Sequence, residues 1–123
     1  MISASQRAQI LEKLQSLAAS MGEPAPREIL VVPTTRDAAA RLCSHGVTND
    51  ASGRPDATGV FLVQACGSFT SRRAPPRVPS PTGTVLRFTL ITGTDHLLDW
   101  GIGPNQLSQA QMETLGPVSA LET

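Results

Sequence analysis

Residues 82–103 read TGTVLRFTLITGTDHLLDWGIG, two alternating apolar runs around a set of turn residues. Leu86, Phe88 and Leu90 alternate with Val85, Arg87, Thr89 and Ile91, the two-residue period of a strand. Thr92 to His96 then supply a turn around Gly93. Leu98, Trp100 and Ile102 line one face of the returning strand. Aligned across the hairpin, Phe88 and Trp100 share a face, and cross-strand aromatic pairs hold registers together.

Working outward, VFLVQACGSF at 60–69 is a further strand. Phe61, Val63, Ala65 and Phe69 fall on one side, and Val60, Leu62 and Cys66 on the other. A strand apolar on both sides is one covered on both sides. Gly67 marks a bulge or a close backbone approach. ILVV at 29–32 is a short strand or an extended lead-in that Pro33 ends. All four large aromatics, Phe61, Phe69, Phe88 and Trp100, lie in the middle of the chain, so the core is centred there.

Helices flank these strands. Residues 3–21 carry Ile10, Leu11, Leu14, Leu17, Ala18 and Met21 at helical spacing. Ser3 with Gln6 forms a capping box, and Gly22 is a stop. So wide a stripe packs either on the sheet or on a second copy of itself, which makes a homodimer through this helix an expectation. A second box, Thr34 with Asp37, starts a helix whose apolar face is Ala38, Ala39, Leu42 and Cys43. In the tail, Ser108 with Gln111 starts a short helix with Met112 and Leu115 inward, and the last residues are expected to fray.

Two stretches resist regular structure. VTNDASGRPDATG at 47–59 is a loop by composition. TSRRAPPRVPSPT at 70–82 holds four prolines, which remove donors and fix φ, so it reads as an extended surface loop.

The 123 residues carry no net charge, so bulk charge points to neither nucleic acid nor a membrane. The charge is unevenly spread. Residues 57–94 hold Arg72, Arg73, Arg77 and Arg87 and no acid, while Asp95, Asp99, Glu113 and Glu122 follow with no Lys or Arg. Two cysteines, Cys43 and Cys66, are too few for a disulfide framework and read as small buried apolar residues, with a single bridge as the alternative. No apolar run spans a bilayer, and the N-terminus lacks the basic and apolar regions of a secretory signal, so the expected location is the cytoplasm.

The order of these segments resembles a PepSY-type unit, in which a helix starting Thr-x-x-x-Ala, as Thr35 to Ala39 do here, precedes an antiparallel meander ending in a hairpin. The turn departs from the Asp-x-x-Thr-Gly usual there and reads TGTDH. The segments MGEPAPREILVVPTTRDAA, VFLVQACGSF, PTGTVLRFTLI and DWGIG are also similar to those of a group of small uncharacterised actinobacterial proteins, and cover most of residues 21–103. The PepSY resemblance implies a binding or peptidase-inhibitory module.

Few residues suggest chemistry, and each has a plainer reading. His45 beside Cys43 suggests a thiolate pair, but residues two apart on a helix end do not face each other. His96 with Asp95 and Asp99 suggests a metal site or a general base. Two histidines without ligand spacing fall short of the three or four ligands zinc needs, so turn chemistry is the simpler account. No Gly-x-Ser-x-Gly elbow or phosphate loop occurs. RAPPRVP at 73–79 fits the Arg-x-x-Pro-x-x-Pro pattern of polyproline ligands, although that pattern is common in proline-rich loops. There Arg72, Arg73 and Arg77 could grip a carboxylate or phosphate bidentately. A three-arginine loop without an aromatic platform is thin for nucleic acid.

The expected architecture is α+β, a small antiparallel β-meander with helices packed on it, in one domain over residues 1–123. It comprises an N-terminal helix over 1–22, a helix plus three-stranded sheet over 29–103, and a tail over 104–123. Two functions compete. One is a non-enzymatic binding or accessory module that meets an unknown protein or a small anionic ligand through Arg72, Arg73 and Arg77 or through the sheet face. The other is a small enzyme or ligand carrier with a pocket between sheet and helix near Cys66, His96, Asp99 and Trp100. Neither requires a cofactor or metal. A cleft holding a buried His or Asp favours the second; a filled core with charges on its rim favours the first.

Overall fold

The computed structural model describes residues 2–43, 57–70, 82–94 and 96–121. The elements run α1 (Ala4–Ser20), β1 (Arg27–Thr35), α2 (Arg36–Leu42), β2 (Gly59–Thr70), β3 (Thr82–Ile91), β4 (Leu97–Gly103), α3 (Gln109–Glu113) and β5 (Ser119–Leu121). The strands form one antiparallel sheet in the order β4-β3-β2-β1-β5. The α+β class and the antiparallel meander expected from the sequence are both present. The sheet, however, has five strands where three were expected.

The two additional strands have physical reasons. β1 does not end at Pro33 but runs on to Thr35, with Pro33 opposite Phe61 of β2. The Pro33 carbonyl faces Gly116, where a Cβ would lie 2.8 Å from it, so this residue turns its backbone away from β2. A missing N–H on that side removes no bond to β2, the usual condition for proline in a strand. In the tail, Ser119–Leu121 pairs with Ile29–Val31 as β5, and the last residues, Glu122 and Thr123, whose fraying was expected, lie outside the described residues.

α1 covers one face of the sheet. Ile10, Leu14, Ala18 and Met21 are buried against Ile29, Val31, Phe61, Val63, Phe69, Leu86 and Phe88. Each fully buried Leu or Ile contributes about 1.5–3 kcal/mol. The helix starts with the expected Ser3–Gln6 box, each side chain bonding the other's backbone N–H at 3.1 and 3.0 Å. It ends in a Schellman motif: Gly22 N–H donates to Ala19 O at 3.1 Å and Glu23 N–H to Ala18 O at 2.9 Å. Gly22 takes φ +83°, the left-handed backbone this motif needs.

α2 and α3 cover the other face, where Val32, Ala39, Leu62, Leu107 and Met112 form a smaller core. α2 begins one residue later than expected. Thr35 is its cap, accepting from Ala38 N–H at 3.3 Å, which leaves Asp37 to pair with Arg41 at 2.9 Å. That shift buries Ala39 and Ala40 and leaves Ala38 half-buried. α3 keeps its expected Ser108–Gln111 box.

Phe88 lies opposite Trp100, as the hairpin alignment required. A bulge shifts the pairing from Thr89↔Asp99 to Leu90↔Leu97. Leu98 is the extra residue, so Leu97 takes the place expected of Leu98 and packs with Trp100 and Ile102 on the α1 side.

Candidate functional site

The polar chemistry of the described residues gathers on the face under α2 and α3. Two-residue alternation puts Val85, Arg87 and Thr89 of β3 on this side, opposite the α1-facing Leu86 and Phe88. Asp99 of β4 lies opposite Thr89. Arg36, the first residue of α2, reaches it with two parallel bonds: Nε donates to Oδ2 at 3.0 Å and Nη2 to Oδ1 at 3.1 Å. Thr89 Oγ1 donates to Asp99 Oδ2 at 3.2 Å and accepts from Asp99 N–H at 3.1 Å. The Arg36 and Asp99 side chains are 30% and 33% exposed, so the pair stands at the rim and water screens it. Nearby, Arg87 Nη1 donates to the Asn105 carbonyl at 3.0 Å.

A crevice opens between α2 and the sheet beside Cys43, Arg87, Thr89 and Asp99. It has about 20 Å³ of room, about enough for one water molecule. Burial pushes the Cys43 thiol up from its ordinary value; Arg87 pulls against this and Asp99 adds to it. The crevice therefore holds a protonated thiol, and its carboxylate is already committed to Arg36.

Beneath the connector from β4 to α3, Gln64 is fully buried and acts as a substitute peptide group. Its Nε2 donates to Leu107 O at 2.9 Å, and its Oε1 accepts from Leu107 N–H at 2.9 Å. Both amide ends are satisfied in the interior, and the connector is pinned to β2.

Of the four pocket residues expected from the sequence, Asp99 and Trp100 line the crevice, and Cys66 and His96 do not. Cys66 lies opposite Val85, four residues along β3 from the Thr89 that faces Asp99, a separation of about 13 Å. Burial raises the Cys66 thiol, and a hydrogen bond to the Glu28 carboxylate raises it further, with Arg27 opposing. Both cysteines are free thiols. His96 is exposed in the turn, where its N–H donates to Thr94 Oγ1 at 3.1 Å and its carbonyl accepts from Ile91 N–H at 3.0 Å. Trp100 is half-buried, packs against the α1-side core and also borders the crevice beside Asp99. Arg72, Arg73, Arg77, His45 and Asp95 lie outside the described residues. Among the described residues no three His, Cys, Asp or Glu side chains group as a metal site.

Sequence reasoning passed over Arg36, Thr89 and Gln64. Gln64 carried a signal, because a single amide inside the apolar run VFLVQAC must find partners when buried. Arg36 carried none, since its partner lies 63 residues away.

A larger groove, about 390 Å³, runs between α1 and the β3–β4 turn and is lined by Gln9, Glu12, Lys13, Ser16, Gly93 and Thr94. It lacks the mostly apolar lining typical of small-molecule sites.

Fold and site together define an α+β protein with a five-stranded antiparallel sheet whose two faces are covered by helices. No family of known proteins, no curated protein and no solved structure matches the chain. No helix among the described residues is long and apolar enough to cross a membrane.

Proposed function

We propose that the protein is a non-enzymatic binding module that recognises an acidic partner through Arg72, Arg73 and Arg77. The observation that carries this reading is the filled space between the sheet and α2. Among the described residues the crevice beside Cys43 admits about one water, its carboxylate is held by Arg36, and its thiol is protonated. A substrate pocket in that place would need several hundred Å³ and a free acid–base group. Helices take up both sheet faces, which leaves the arginine-rich segment as the stronger of the two binding surfaces expected from the sequence. That segment starts and ends at Thr70 and Thr82, which pair across β2 and β3 and tether it to the sheet. The PepSY resemblance supports a binding role as well. Two free thiols are in keeping with work in the reducing cytoplasm.

Calorimetric titration of the full chain with a glutamate-rich peptide, and separately with inorganic phosphate, tests the proposal. The wild type should bind one of the two. A chain carrying Arg72→Ser, Arg73→Ser and Arg77→Ser together should lose that binding, while Arg41→Ser retains it. Equal binding by the triple variant, or none by the wild type, would overturn the assignment.

A further inference from the structure

Among the described residues every strand but two has a neighbour on each side, and the two sheet edges differ. β5 is three residues long, a length that limits pairing. β4 is seven residues long, and among the described residues no strand covers its outer side. An open edge offers a row of unpaired N–H and C=O groups, and proteins guard such edges with charge, proline, a bulge or a covering loop. β4 has its bulge at Leu98, near its start, and beyond it the stretch from Asp99 to Gly103 holds neither lysine nor proline. The sequence of β4 is LLDWGIG, and its single charge, Asp99, is held by Arg36.

The direction of the backbone shows which groups are offered. The Asp99 N–H points toward β3, where it donates to Thr89 Oγ1. Alternation along the strand then turns Gly101 inward and the N–H and C=O of Trp100 and Ile102 outward. Those two residues also present half-buried apolar side chains on the α1 side.

We propose that β4 pairs with β4 of a second copy, antiparallel about a two-fold axis at Gly101, joining two sheets into one. In that register Trp100 lies opposite the partner's Ile102, and Asp99 lies opposite the partner's Gly103. The outward groups of Trp100 and Ile102 meet those of the other copy as hydrogen-bonded pairs. Gly101 meets its counterpart at the non-hydrogen-bonded position, where Cα atoms come to about 4.5 Å and a residue without a side chain fits. No like charges oppose each other, and an aromatic faces a β-branched residue, a favourable cross-strand pair. The pairing is isologous, the form of most homodimers. It is independent of what the arginine segment binds.

Sedimentation equilibrium of the full chain between about 1 µM and 1 mM tests the dimer. The wild type should approach twice the 12.9 kDa of one chain as concentration rises. Ile102→Lys should weaken association at least about tenfold, and Ala120→Lys on the opposite edge should leave it unchanged. A second readout, amide exchange in the wild type, serves even if Ile102→Lys fails to fold. Exchange at Trp100 and Ile102 should slow with concentration while Gly101 stays constant. A monomer throughout the range, a dimer indifferent to a folded Ile102→Lys, loss of the dimer in Ala120→Lys, or concentration-independent exchange would each overturn the proposal.

Discussion

The two faces of the sheet are held by different physics. Under α1 the contact is apolar throughout: Ile10, Leu14 and Ala18 meet Phe61, Val63, Leu86 and Phe88. Under α2 and α3 the apolar core is smaller, and directional bonds share the work: the Gln64 clamp on Leu107, the Arg36–Asp99 fork and the Arg87 bond to Asn105. Burial is non-directional and tolerates many partners, whereas a hydrogen bond selects one geometry. The larger apolar core of the first face should therefore hold the greater part of the stability. The second fixes where a chain with two short helices and a long connector must lie.

Breaking the apolar face should produce the largest effect. Phe88→Ala empties space beside Trp100 and should cost about 3–5 kcal/mol in chemical denaturation. Trp100 is the one tryptophan in a chain without tyrosine, so its emission should shift to the red in the folded variant. A loss below about 1 kcal/mol would mean that this face is not the principal store of stability.

Breaking the Gln64 clamp comes next. Gln64→Leu keeps the volume but strands the Leu107 N–H and C=O, which should cost about 1–3 kcal/mol. The apolar face gains from added carbon, whereas this position should lose. A neutral or stabilised variant would show that Leu107 finds other partners.

The rim pair should matter least. Arg36→Gln removes a fork that is about one-third exposed, and the loss should be about 1 kcal/mol or less. Whatever is lost should shrink as salt is raised from low to physiological strength. A larger, salt-independent loss would place the pair in the interior rather than at the rim.

Much of the apolar face was legible in the sequence. The stripe on α1, the alternation in β2 and β3 and the Phe88–Trp100 alignment all follow from local periodicity. The other face was largely hidden, because its bonds join residues distant in sequence: Arg36 to Asp99, and Gln64 to Leu107, 43 residues apart. Pro33 misled for a related reason. A proline ends a strand only where its N–H is needed, and that depends on which neighbour it faces. The bulge at Leu98 was equally invisible, since one extra residue moves the inward role to Leu97 without changing the composition. Among the candidate site residues, the chemistry of each was readable and the distances between them were not. Cys66 and Asp99 sit at different points along the sheet, and His96 spends its backbone on the turn.

Amide exchange at Leu107, measured in the wild type and in Gln64→Leu, tests most directly the claim that one face is fixed by directional bonds. The Leu107 N–H, bonded to the buried Gln64 Oε1, should be strongly protected in the wild type. In the variant that protection should fall far more than it does at Val63 and Phe88, which sit in the apolar core. A Leu107 amide that exchanges freely in the wild type, or that stays as protected without Gln64, would contradict it.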